Sequence, residues 1–504
     1  MSSRRRLVLV FAGLAALVLV APAGAAWNGG GNAGDARSKA RSLGAVTAPS
    51  LSANGRSVAI SWTAPAGAPP GGYIVKRYDG SGQSQSVGAA CSGTVSGTSC
   101  TENGVSPGSW TYKVTAVRGA NWRGAEGAGS SVTVDSPSLT LAPATVTSFP
   151  TVLSGGVTGF VAGQTVSFRL DDPSSGPILS GSTTPATIPT GGQATVSVTI
   201  PAGTSNGEHT VFAVGSGADL AQAPIIVNRP QVTASVTAKS AGGRAGKIRQ
   251  GGTYRVYANV TGSGNPPAGL ASLTADVNAI TTGQTAAALT NGSYYAGGQS
   301  YNYRSAQLTA NVSLSAGSKP YTVKLTDAGG TVTTSSYSVI VDNTKPTAVD
   351  VQATNAFGGT IGRAEPGDVL TLTYSEDIEP ISILAGWNGS STNVVVRLNN
   401  GALADTVQVW NAANSAQLPY GTVDLKALDY TLANRTFGLT GTPSTMVMSS
   451  NAVTITLGTA SGATTTALLP SAMTWTPSAT ATDEAGNAAA TTAVTESGAS
   501  DKNF

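Results

Sequence analysis

The sequence predicts an all-β chain of tandem β-sandwiches behind an N-terminal signal peptide, and three observations carry that prediction. Short runs of alternating apolar and polar residues, rich in Val, Ile, Thr and Tyr, recur along the chain, bounded by Gly, Pro, Asn or Ser. Almost no window repeats apolar residues at the three-four spacing of a helix. Glycine fills 63 of 504 positions and only 11% of residues are charged. That composition suits strands joined by tight turns, and because the glycines have no three-residue period it excludes collagen. With one histidine and two cysteines, few groups remain for acid–base, nucleophilic or metal chemistry, and an enzyme is not expected.

The first 25 residues read as a secretory signal. Arg4, Arg5 and Arg6 form the positive end, Leu7–Val20 is an uncharged apolar run, and Ala23-Gly24-Ala25 offers a small-residue cleavage site. The apolar run falls short of the roughly 20 residues that cross a bilayer. The expected product is secreted, extracellular and soluble, or held at the cell surface non-covalently. The formal charge of +3 belongs to this leader, because Arg4, Arg5 and Arg6 are its only charges. Without it the chain is neutral, and nucleic-acid binding has no global electrostatic support. Residues 26–48, rich in Gly, Ala and Ser, read as a flexible lead-in.

Strands are expected at SVAISW (57–62), YIVKRY (73–78), WTYKVTAV (110–117), TVSFRL (165–170) and ATVSVTI (194–200). Further ones are YRVYANV (254–260), YTVKL (321–325), VLTLTY (369–374) and AVTITL (452–457). Three polar, proline-containing segments, at Asp135-Ser136-Pro137, Val227–Pro230 and Val341–Pro346, follow strand-like runs and mark module boundaries. The modules are expected at 49–135, 136–229, 230–343 and 344–504, the last being larger and carrying insertions.

In the first module Trp62 sits on an early strand, Tyr73 opens GYIVKRY and Tyr112 lies in SWTYKVTAV. This spacing resembles a fibronectin type III domain, although Val105 stands where that family usually has Leu. The resemblance implies that Trp62, Tyr73 and Tyr112 are core residues and that the Tyr112 hydroxyl bonds nearby backbone as a tyrosine corner. The later modules resemble bacterial immunoglobulin-like repeats. The residues concerned are VDNTKP at a module end, PGDVLTLTYSEDIEP at a module start, and T-D-x-A-G turns in YTVKLTDAGG and TATDEAGN. Such modules imply a spacer, an adhesin or a surface structural component, since the fold dictates no chemistry.

Cys91 and Cys100 enclose CSGTVSGTSC; in an exported chain they are expected to form a structural disulfide. His209, in NGEHTVFAV, reads as a strand-edge residue, and no G-x-S-x-G elbow accompanies it. Asp171-Asp172-Pro173 reads as a turn. Two other acidic turns, with Glu376, Asp377 and Glu379 in one and Asp483 and Asn487 in the other, are candidate calcium ligands because clustered hard oxygens suit that ion. Calcium is the one cofactor considered.

Charge is unevenly divided. Residues 230–341 carry eight Lys/Arg against two Asp, whereas residues 342–504 carry six Lys/Arg against fourteen Asp/Glu. Much of the positive excess lies in KSAGGRAGKIRQGGTYR (239–255). Basic and acidic modules are therefore expected either to fix each other's orientation or to pair head-to-tail between molecules. The basic loop could also serve an anionic glycan. Trp122 and Trp387, in Gly- and Asn-rich stretches, are candidates for stacking on sugar rings. A carbohydrate-binding accessory protein is thus the alternative to the spacer or adhesin, and the expected partners are surface proteins or glycans.

Overall fold

The computed structural model describes residues 41–181, 183–217, 219–240 and 244–504. The leader and most of the lead-in lie outside the described residues. Regular structure is almost wholly β, and each strand expected from the sequence is present, TVSFRL at Thr165–Leu170, ATVSVTI at Ala194–Ile200 and VLTLTY at Val369–Tyr374 without a shift. Helix is confined, among the described residues, to the single turns Ala89–Cys91 and Pro380–Ile383.

The strands fall into four groups along the chain, and none of the strand pairings links one group to the next. In the first, Ser50–Asn54, Ser57–Ser61 and Ser99–Glu102 form one sheet, facing a second built on Gly72–Tyr78 and Gly108–Arg118. Alternation explains the packing: Val58, Ile60, Val114 and Ala116 point inward, while Ala59, Ser61, Lys113 and Thr115 stay outside the core. Trp62, Tyr73 and Tyr112 are all buried in this core, and the rings of Trp62 and Tyr73 meet edge to face at 5.3 Å. Cys91 and Cys100 are joined by a disulfide at its margin.

The second group pairs Ser138–Ala142, Thr151–Thr158 and Ala194–Ile200 against a sheet centred on Thr165–Leu170, Gly207–Gly215 and Leu220–Val227. The third and fourth groups each form one long, continuous strand path. In the third, the core is closed by Tyr254, Val256, Val323 and Val341; in the fourth, by Leu370, Tyr374, Val396, Ile455 and Trp475. Buried side chains form separate clusters in each group, so each sandwich has its own core.

The second and third modules share one further feature. A two-residue strand near the start of each runs parallel to the last strand of the same module. Thr145–Val146 pairs with Ile226 and Val227, and Lys247–Ile248 pairs with Ile340 and Val341. Backbone bonds of 2.8–2.9 Å close both pairs.

Candidate functional site

The residues that could do work gather where one module meets the next. Between the first and second, Gly55 and Gly192 approach so closely that a Cβ on Gly55 would lie 2.6 Å from the Gly192 Cα. Both glycines have positive φ, 58° and 69°, which a side chain would strain independently of the clash. Beside them the Arg56 guanidinium pairs with Asp219. Between the second and third, the buried Asp327 carboxylate accepts the Phe149 N–H at 3.1 Å through one oxygen, and the N–H groups of Gly329 and Thr331 at 3.0 and 2.8 Å through the other. Thr331 returns a hydroxyl bond to the Phe149 carbonyl at 3.2 Å.

The third junction holds the most charge. Lys239 Nζ donates to the Asp483 carbonyl at 3.1 Å and lies 3.5 Å from Glu379 Oε2, which also accepts the Arg244 N–H at 3.0 Å. Arg244 and Lys247 both pair with Glu484, the latter at 2.8 Å. Arg244 also stands 4.0 Å from Asp377. These cations come from the basic 239–255 segment and the anions from the two acidic turns, so the uneven charge is used within one chain to hold two modules together. Head-to-tail pairing between molecules was expected to use the same groups.

Beside these pairs three carboxylates converge. Oxygens of Asp342, Glu376 and Asp483 all lie within 4.8 Å of one another. Burial pushes the Glu376 carboxyl up to about 7, with the charges of Asp342 and Asp483 acting the same way. Glu376 Oε1 is buried without a hydrogen-bond partner. These three residues could hold a cation, supplying three of the six to eight oxygens that calcium takes. Of the predicted calcium ligands, Glu376 and Asp483 are thus brought together, joined by Asp342, which the sequence had presented only as part of a boundary. The others are turned elsewhere: Glu379 and Asp377 toward Lys239 and Arg244, and Asn487 donating Nδ2 to the Asp342 carbonyl and to Asp483, each at 2.8 Å.

A cleft of about 740 Å³ opens at the same junction, lined by Arg244, Tyr295, Asp377, Pro380, Trp387 and Met448 among others. Trp387 is not the exposed ring expected for sugar stacking: it is 5% exposed, in the fourth module's core, and its Nε1 donates to the Ser390 carbonyl. The turn Asn388–Ser390 folds back over it, which is why an Asn/Gly context did not mean exposure. The open aromatic of the cleft is Tyr295, 70% exposed, and Trp122, 43% exposed, lies far away in the first module.

Two further expectations meet the structure in detail. The Tyr112 hydroxyl donates to the Glu102 carboxylate at 2.7 Å, not to backbone as the fibronectin resemblance implied. Glu102 is itself buried and also accepts Arg77 at 2.7 Å and the Gly88 N–H at 2.8 Å, so a charged network occupies that corner. His209 sits on Gly207–Gly215 with Nδ1 2.8 Å from Asp171 and Nε2 2.9 Å from the Ser205 carbonyl. Burial lowers its pKa, but the Asp171 and Ser205 hydrogen bonds outweigh that and raise it. Two acceptors flanking the ring tie it to the Asp171 turn and to the Ser205 backbone.

No family model matches the chain, and no curated protein matches it. Among solved structures it is similar to a tetra-tandem repeat in the extending region of a large adhesion protein, at 16% identity and a TM-score of 0.20, with 82% of this chain and 98% of that one covered. It is also similar to FdeC, an Escherichia coli adhesin, at 14% identity and a TM-score of 0.21, with 72% and 97% covered. A third is the N-terminal eight Ig domains of Down syndrome cell adhesion molecule, at 12% identity and a TM-score of 0.16, with 83% and 55% covered. At these scores the fold assignment rests on the strands and cores described above. Among the described residues no helix is long and apolar enough to cross a membrane.

Proposed function

We propose that the chain is a non-catalytic, exported modular protein in which a fibronectin type III-like sandwich and three Ig-like sandwiches form a stiff spacer or adhesin shaft at the cell surface. The observation that supports this reading is the repeated use of directional contacts at the junctions. Gly55 against Gly192, Asp327 on Phe149, and Glu484 between Arg244 and Lys247 each tie one module to the next. Modules joined only by free linkers would reorient by default. Small-angle X-ray scattering of the exported chain tests the idea. A single narrow maximum dimension, unchanged by dilution, is expected; a broad distribution would count against a shaft.

A second reading, a carbohydrate-binding accessory protein, is favoured by the 740 Å³ cleft with the exposed Tyr295 ring, the Asp377 carboxylate and the Arg244 guanidinium on its walls. An aromatic face beside hydrogen-bonding side chains is the kind of surface that binds ligands at module junctions. A glycan array probed with wild type and Tyr295→Ala separates the two readings, since the shaft alone predicts no signal.

A further inference from the structure

In three modules the turn of the final hairpin grips the module before it. Asp219, beside the turn between Gly207–Gly215 and Leu220–Val227, pairs with Arg56 of the first module. Asp327, at the turn between Gly317–Asp327 and Val332–Val341, holds the Phe149 N–H of the second. Glu484 lies in the turn between Thr474–Thr476 and Val494–Thr495, where it pairs with Arg244 and Lys247 of the third. Each of these turns presents an acid, and each acid meets a donor.

In the first module the long strand Gly108–Arg118 pairs with Trp122–Arg123 and then with Ser130–Val134, so the returning strand comes in two pieces. Gly108 pairs with Val134 at the end that leads into the second module, which puts the hairpin turn, residues 119–121, at the opposite end. The chemistry of this turn is inverted. It holds no acid and is flanked instead by Arg118, Trp122 and Arg123, all exposed. Arg118 lies directly across from Trp122, which in an antiparallel pair puts both side chains on one face with Cβ atoms about 4.5–5.5 Å apart. Trp122 is the one exposed tryptophan among the described residues, whereas most tryptophans are largely buried.

Charge around the tip is uncompensated. Arg56, Lys76, Arg77 and Lys113 each pair with an acid, whereas Arg118 and Arg123 form no ion pair among the described residues. Arg118 donates to the Pro69 carbonyl at 3.2 Å, which steadies its side chain without neutralising it. The module's acids are placed elsewhere. Asp79 and Asp135 follow strand ends on the side of the second module, Glu102 binds Tyr112 and Arg77, and Glu126 binds Tyr78.

We infer that this tip binds an acidic polysaccharide, the Trp122 ring lying on a sugar face and Arg118 pairing with that sugar's carboxylate. The inference goes beyond the shaft reading and makes no use of the cleft at the third junction, so its failure leaves both untouched. Three features select this ligand. The other turns set an acid against a neighbour's donor, whereas a turn flanked by open guanidinium groups calls for an anion. The tip is a two-stranded ribbon ending in one ring and two guanidinium groups, which suits a sugar unit and falls far short of the roughly 800 Å² per side of a standard protein interface. A uronic acid matches the pair group for group: its C–H face packs on the indole, and its carboxylate takes two parallel hydrogen bonds from the planar guanidinium. Arg123, next along the strand, faces the other side, so a repeating anion crossing the tip meets a second charge.

Titration calorimetry with polygalacturonate, neutral dextran and poly-L-glutamate tests this, using the chain without residues 1–25, because Arg4, Arg5 and Arg6 would bind a polyanion themselves. Wild type should bind polygalacturonate, less tightly as salt rises, and should not bind dextran. Trp122→Ala and Arg118→Gln should each weaken that binding about tenfold or more, with unchanged circular dichroism because both side chains are exposed. Trp122→Tyr, which keeps a ring face, should retain it. Lys319→Gln/Lys324→Gln on the third module and Tyr295→Ala in the cleft should bind as wild type does, which separates this site from general charge and from the cleft. A wild type that ignores polygalacturonate overturns the inference. Binding that survives Trp122→Ala overturns it too, since ion exchange alone would then account for it. So does equally tight binding of poly-L-glutamate that the tip variants abolish, because the tip would then serve an acidic protein.

Discussion

Lys247 Nζ lies 2.8 Å from Glu484 Oε2, and that ion pair spans the boundary between a basic module and an acidic one. Arg244 binds the other oxygen of the same carboxylate. Glu484 is nearly buried while Arg244 is mostly open to solvent, so the pair sits between the surface and interior limits for ion-pair strength.

Glu484→Ala should therefore loosen the junction without unfolding either module. About 1–3 kcal/mol of junction stability is expected to go with the charged hydrogen bonds. Scattering should show a broadened maximum dimension while circular dichroism stays constant. An unchanged scattering profile would mean that the remaining Lys239–Glu379 contacts suffice.

The same junction should respond to pH in two opposing ways. Glu376, pushed up to about 7 chiefly by burial, holds its proton more tightly folded than unfolded. Its contribution is complete below its ordinary value of 4.5 and is lost as pH rises through about 7. Glu484 behaves in reverse. Burial pushes its carboxyl up, but hydrogen bonds from Lys247 and Arg244 outweigh burial and bring it below the ordinary value, so its contribution is lost on acidification. The fourth module's Tm should peak at roughly pH 5–6. Glu376→Gln should flatten the decline toward pH 8, leaving the part due to Glu496, also raised to about 7 mainly by burial. A wild-type Tm that climbs steadily to pH 8 contradicts the assignment.

Calcium would compete with protons for the carboxylates of Asp342, Glu376 and Asp483. At pH 8, millimolar calcium is expected to raise Tm in wild type and not in Glu376→Gln. No shift in wild type would leave these carboxylates to protons alone.

Asp327→Ala would strand the N–H groups of Phe149, Gly329 and Thr331 in a buried place. Roughly 2–4 kcal/mol of destabilisation is expected, from several donors losing their acceptor at once. Chemical denaturation of a fragment spanning the second and third modules, compared with wild type, measures it. A loss confined to the third module would show that the Phe149 contact adds nothing.

Reducing the Cys91–Cys100 bond opens a loop of nine-residue separation. The first module should lose on the order of 2.5–3 kcal/mol by the loop-closure argument. Calorimetry with and without reductant should move one transition and leave the others in place; movement of all of them would point to coupled unfolding.

Much of the fold was legible because strand alternation is local. TVSFRL, ATVSVTI and VLTLTY announce their own inward and outward faces, and Trp62 and Tyr73 announce a core. The four-residue turn of helix at Pro380–Ile383 is too short to have any periodicity. Junction partners were illegible for a different reason. Lys239 and Glu379, or Phe149 and Asp327, stand far apart in sequence, and only the charge imbalance between residues 230–341 and 342–504 hinted at one of these contacts. Trp387 misled because a Gly/Asn-rich neighbourhood can fold over a ring as easily as expose it.

The short parallel pairs at Thr145–Val146 with Ile226 and Val227, and at Lys247–Ile248 with Ile340 and Val341, have a mechanical meaning. In each module they join an early segment of the chain to its outgoing strand. Tension along the chain pulls those two strands in opposite directions along their own length. Their backbone bonds then bear the load together in shear, instead of opening one at a time like a zipper. A pull on this protein would load both bonds of such a pair at once.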